Sequence, residues 1–229
     1  MGWIVAAFTG LVAGMVHVLS GPDHLVAVLP FAVDRPARAL RVGLFWGLGH
    51  GLGVLVLGLV FLAAQAYFDL DAISQAAEVL VGLLLIGVGL WALRRSRKLV
   101  LHTHAHDHDG DGHAHPHVHL DDPTVDDATH PSQGRHAKHS HSTLGFGFIH
   151  GVAGMGHLVG AGPLVALSGA AAGAYLVAYL AGGVVAMTAF AALAGQMIRR
   201  PRWVPRGLAT AGVLSMGVGA FWVASFALA

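Results

Sequence analysis

Six apolar stretches divide most of this chain, at roughly 3–33, 41–63, 77–93, 143–172, 174–195 and 207–228. A helix that crosses a bilayer needs about 20 predominantly apolar residues. Inside hydrocarbon every backbone N–H and C=O must be bonded within the protein, so stretches of this kind fold as helices. Only 11% of the residues are charged, against about 25% in a soluble domain. The expected fold is all-α: a polytopic membrane protein of six transmembrane helices. The first and fourth stretches run to about 30 residues, too long for one simple crossing, so each is expected to be broken. The N-terminus has no basic leader region, so residues 3–19 read as a retained span rather than a cleaved signal.

The charges set the expected sidedness. All 13 basic residues lie on the odd-numbered connections: Arg35, Arg38 and Arg41; Arg94, Arg95, Arg97, Lys98, Arg135 and Lys138; Arg199, Arg200, Arg202 and Arg206. The positive-inside rule puts those connections in the cytoplasm and both termini outside, for a protein of the bacterial inner membrane. There is no cysteine, which excludes disulfides, thiolate metal sites and thiol redox chemistry. No HExxH motif occurs, and the charges are not gathered into a basic face, so neither a metalloprotease nor a nucleic-acid partner is expected.

Three regions follow: 1–98 and 143–229 as two three-helix halves, and 99–142 between them. The middle region includes "HTHAHDHDGDGHAHPHVHLDD" and holds 12 of the 17 histidines. It has no apolar material for a core and reads as a disordered cytoplasmic loop, either a metal buffer or a dispensable tract. The halves share a short repeat. "VAGMVHVLSGPDHLVAV" (12–28) resembles "VAGMGHLVGAGPLVAL" (152–167), each with VAGM, one residue, His, then Gly-Pro. Three spans separate the copies, so the halves are expected to be inverted relative to one another, with a site where the broken helices meet.

The remaining five histidines, His17, His24, His50, His150 and His157, fall within the apolar spans, and Asp23 is the one acid well inside a span. One such histidine is as often glue between helices as a functional group; five with a carboxylate point to a site. Their positions predict a ladder, with His17, His50 and His157 near mid-membrane and Asp23, His24 and His150 below. An unbroken helix would hold His17 and His24 about 10 Å apart along its axis. Ser20-Gly21-Pro22 removes that constraint, since Pro22 suits the first turn of a new helix. Imidazole with carboxylate and no thiolate suits Ni²⁺, Co²⁺ or Zn²⁺.

"HVLSGPDHL" (17–25) resembles the first-helix motif of nickel/cobalt permeases, and "FWGLGHGLG" (45–53) is similar to their second-helix motif. The layout is closest to the small six-helix, urease-accessory (UreH-type) branch of that transporter group. The resemblance implies a secondary transporter and carries metal-binding roles onto His17, Asp23, His24 and His50. His150 and His157 rest on the repeat and on depth. Val16 stands where the larger permeases have a basic residue, and 77–93 lacks their Asp-rich motif. The expected substrate is a divalent metal ion, Ni²⁺ first, with no prosthetic group; the lipid bilayer and a cytoplasmic metallochaperone are the candidate partners. Import and export both stay open. A bis-histidine membrane cytochrome is the reading from another class.

Overall fold

The computed structural model describes residues 2–64, 70–108, 111–120, 140–153, 163, 166–167, 169–198 and 200–228. Its helices are α1 (Gly2–Ser20), α2 (Pro22–Asp34), α3 (Ala39–Ala64), α4 (Leu70–Arg97), α5 (Ser140–Ala153), α6 (Gly169–Met197) and α7 (Val204–Leu228). Among the described residues, five helical segments are long and apolar enough to cross a membrane: Gly2–Ser20, Pro36–Val60, Ala76–Arg97, Gly169–Met197 and Pro201–Phe226. This is a helical membrane protein.

The expected first span is two helices rather than one long crossing. α1 ends at Ser20, where Ser20 Oγ donates to the His17 carbonyl at 3.3 Å and the Gly21 N–H donates to the same oxygen at 3.2 Å. Gly21 is extended, with φ −89° and ψ 103°. Pro22 has no N–H to continue α1 and instead begins α2. The expected fourth span is described only as α5. Its continuation, with the second repeat copy and His157, lies outside the described residues. The inverted six-helix arrangement is therefore not visible in full.

α4 and α6 extend beyond the stretches read from hydropathy. An apolar window stops at the first cluster of charges, whereas helical hydrogen bonding does not. Asp71 and Glu78 consequently lie on α4.

The most extensive helix contacts are α1 with α6, α4 with α7 and α3 with α5, and α3 also packs on α6. Without a hydrophobic drive between helices in lipid, close backbone approach supplies the packing. Gly82 and Gly89 of α4 lie against Gly219 and Gly212 of α7. Near them the buried Ser215 Oγ donates to the Leu85 carbonyl at 2.9 Å. α2 touches α3, α4, α6 and α7, so it runs through the middle of the bundle. The core follows from this: Val18, Val28, Trp46, Leu85 and Met187 are wholly buried around it. Phe8, Val177 and Phe221 point outward, as a surface solvated by lipid requires.

Residues 99–142 were expected to lack structure. Within them, β1 (Leu99–His108) and β2 (Asp111–Leu120) pair antiparallel, and Ser140–Ser142 begin α5. Its register sets His102 opposite His117, His104 opposite His115 and His106 opposite His113. The alternation of histidine with small residues matches the two-residue period of a strand, a pattern that a compositional argument passes over.

Candidate metal centre

Four separate helices each bring ligands to one place. His17 sits in the last turn of α1, Asp23 and His24 in the first turn of α2, His50 midway along α3, and His150 three residues before the end of α5. The side chains expected as a ladder in depth stand close together, and His157, its remaining member, lies outside the described residues. The His24 ring lies 4.7 Å from that of His17, 5.1 Å from that of His50 and 5.1 Å from that of His150. The rings of His50 and His150 are 5.6 Å apart.

The break between α1 and α2 causes the first of these contacts. Seven residues along a continuous helix would keep His17 and His24 about 10 Å apart. The extended Gly21 folds that distance away. The absence of a side chain at residue 21 matters as well. A Cβ on residue 21 would run into His24 Nδ1 and come within 2.9 Å of Asp23 Oδ1. The space beside the ligands is thus kept by the absence of a side chain.

His50 and His150 are held by the α3–α5 approach. A Cβ on Gly147 or Gly151 would run into the carbonyl of Trp46 or of His50, and Gly49 and Gly53 face Leu144 and Phe148 in the same way. Glycines on both helices therefore fix the separation of the two histidines.

Asp23 links the rest. Its Oδ1 lies 3.1 Å from His24 Nδ1, and its Oδ2 lies 3.5 Å from His150 Nε2. The second distance is long for a hydrogen bond. His150 Nδ1, on the opposite side of the ring, has no hydrogen-bond partner among the described residues. His24, His50 and His150 are 4%, 5% and 1% exposed. Ionisable groups this deep in a membrane protein are costly and by default belong to a site.

Two sets of three ligand atoms result, His17–His24–His50 and Asp23–His24–His150, each with its atoms within 4.8 Å of one another. Ligands at about 2.05 Å from a tetrahedral ion stand about 3.3 Å apart. Small side-chain rotations would close either set around one ion. His24 belongs to both.

Two neighbours escaped sequence reasoning. Tyr179 of α6, 5% exposed, has its ring 5.9 Å from that of His17. Trp46 of α3 is wholly buried, its ring 6.2 Å from that of His150. The Tyr179 hydroxyl and the Trp46 Nε1 are buried with no hydrogen-bond partner among the described residues. Trp46 lies within the "FWGLGH" motif and could have been singled out. Tyr179 carries no comparable signal in an apolar helix.

The fold and this cluster define a class, that of helical membrane proteins with a histidine–carboxylate centre buried between their helices. Curated relatives share the sequence. The chain is 28% identical over 195 residues to the chloroplast protein FOR GROWTH AND FERTILITY 1 of Arabidopsis thaliana, a match of 85% of this chain and 50% of the relative. It is 35% identical over 97 residues to FOR GROWTH AND FERTILITY 2 of the same plant, 42% of this chain and 26% of the relative. It is 30% identical over 91 residues to the urease accessory protein UreH of Bacillus sp. (strain TB-90), 39% of each chain. The chain therefore spans half or less of the length of these relatives. No protein-family model and no solved structure matches it.

Proposed function

We propose that this chain is a secondary transporter for a divalent transition-metal ion and belongs with the nickel/cobalt transporter group. The observation that carries the reading is the convergence of Asp23 with His17, His24, His50 and His150 at the break between α1 and α2. Ni²⁺ is the first candidate, Co²⁺ and Zn²⁺ the next, because the donor set is imidazole and carboxylate.

The chemistry of each residue follows from its place. Asp23 supplies the negative charge that a desolvated dication needs. The α1 C-terminus adds the negative end of its dipole, while Asp23 offsets the positive N-terminus of α2. His24, shared by both ligand sets, can stay bound while an ion exchanges His17 and His50 for Asp23 and His150. That exchange is the elementary step of passage.

Helix pairing supports two equivalent halves. Exchanging them turns the α1–α6 contact into the α5–α3 contact and maps α4–α7 and α3–α6 each onto itself, and these are the four most extensive helix pairs. By the same logic His157 is a further ligand, entering from the second copy of the repeat. The arginine-bearing connections face the cytoplasm. The histidine tract there collects or releases the ion, with near-neutral imidazoles at pH 7.

The test is metal flux into proteoliposomes, with Ni²⁺, Co²⁺ and Zn²⁺ compared in both orientations. Saturable flux of at least one ion, removed by Asp23→Asn, is expected. Absence of flux for all three, or a Soret band in the purified protein, would overturn the proposal.

A further inference from the structure

At the arginine-bearing end of the bundle, α2, α3, α4 and α5 surround a cavity of about 580 Å³. Arg35, Arg38, Arg41 and Arg95 line it against one carboxylate, Asp34. That carboxylate is already engaged. Arg95 Nε donates to Asp34 Oδ1 at 2.5 Å, and Arg35 Nε lies 3.7 Å from Oδ2. Arg38 and Arg41 are exposed and have no carboxylate partner among the described residues. Arg41 reaches back over the Phe45 ring, 5.4 Å from its centroid.

The deeper wall is of a different kind. Leu83, Leu84 and Trp91 of α4 form it. Leu83 is 55% and Trp91 37% exposed, so the wall opens sideways toward lipid. Gly87 of α4 lines it too, and a Cβ there would meet nothing within 4 Å. The helix surface is grooved at that point.

These features exclude some ligands. Four arginines with one paired carboxylate repel a free dication. A small soluble anion would use the arginines but has no need of a grooved apolar wall. A molecule with a phosphate at one end and a hydrocarbon chain at the other uses both. Arginine binds phosphate oxygens through its planar fork of donors, and basic pockets between transmembrane helices are suited to anionic headgroups. We propose that this cavity binds the phosphate of an anionic phospholipid, with an acyl chain lying along Gly87 and Trp91. The proposal does not depend on metal transport.

The test uses the full chain in a neutral detergent. Its thermal midpoint is followed with phosphatidylglycerol, with phosphatidylcholine of the same acyl chains, and with inorganic phosphate at matched ionic strength. Phosphatidylglycerol at ten times its dissociation constant should raise the midpoint by roughly 3 °C or more, and phosphatidylcholine should raise it less. The double variant Arg38→Gln/Arg41→Gln should lose the difference between the two lipids. A Cβ at residue 87 meets nothing within 4 Å, so Gly87→Leu should keep the lipid-free midpoint and also lose that difference. Equal shifts from both lipids, or a phosphatidylglycerol shift that survives both variants, would overturn the proposal. So would a full shift from inorganic phosphate that Gly87→Leu leaves intact, since the ligand would then be a small soluble anion.

Discussion

Histidine is used in two opposite ways in this chain. In the buried cluster, four histidines come from four helices, and residues more than a hundred positions apart lie within 6 Å of one another. In the tract after α4, 12 histidines follow one another within 40 residues, from His102 to His141. The cluster has geometry: each ring is fixed by a helix break or a glycine contact, and Asp23 bridges two of them. The tract has number: in its described part, histidine faces histidine across β1 and β2 three times over. A site of fixed shape gains selectivity and loses everything with one ligand. A repetitive array gains capacity and loses little with any one residue.

Substitutions can separate the two. The largest effect is expected from Asp23→Asn. Loss of a partner outside the coordination shell of a metal typically costs roughly 10- to 100-fold, so loss of the one carboxylate in the shell should reduce flux by roughly 100-fold or more. Folding should be retained, because Asn keeps the shape. Normal flux in this variant would remove the cluster from the pathway.

Gly21→Ala should come next. The added methyl would run into His24 Nδ1, so the ring shared by both ligand sets must shift. Overpacking of this kind costs about 1–3 kcal/mol. Metal affinity, read by calorimetry, should fall together with the thermal midpoint. A variant that keeps its affinity would show that the break adapts freely.

His157→Ala is the third test, and it bears on the half of the repeat outside the described residues. If His157 completes the centre, its loss should impair flux about as much as His17→Ala. If it is packing, stability should fall by about 1 kcal/mol with transport retained. Flux and thermal stability measured on both variants distinguish the cases.

The smallest effect is expected from deleting residues 102–141. Flux should remain measurable, with a changed dependence on metal concentration on the side the tract faces. Complete loss in a correctly inserted deletion variant would make the tract part of the route, and the contrast between geometry and number would fail.

The sequence carried the spans and the break well, because both are local. A run of apolar residues and a Ser-Gly-Pro triplet announce themselves within one or two turns. His17, Asp23, His24 and His50 were legible through their motifs, and His150 through its depth. What depth along each helix does not contain is how the helices approach one another. Gly147 and Gly151 bring α5 onto α3, and that is a pairwise property that no single segment displays. Tyr179 was invisible for the same reason: only the α1–α6 contact turns it toward His17.

On the proposed function, the glycines between α3 and α5 bear on how an ion moves between its two ligand sets. His50 belongs to one set and His150 to the other. The gap between them is a distance between two main chains, set by Gly49 and Gly53 on one side and Gly147 and Gly151 on the other. An ion handed across would take a step whose length is fixed by backbone rather than by side-chain rotation. An alanine at Gly151 should lengthen that step and lower flux more than it lowers metal affinity, which flux and a binding titration on the same variant would reveal.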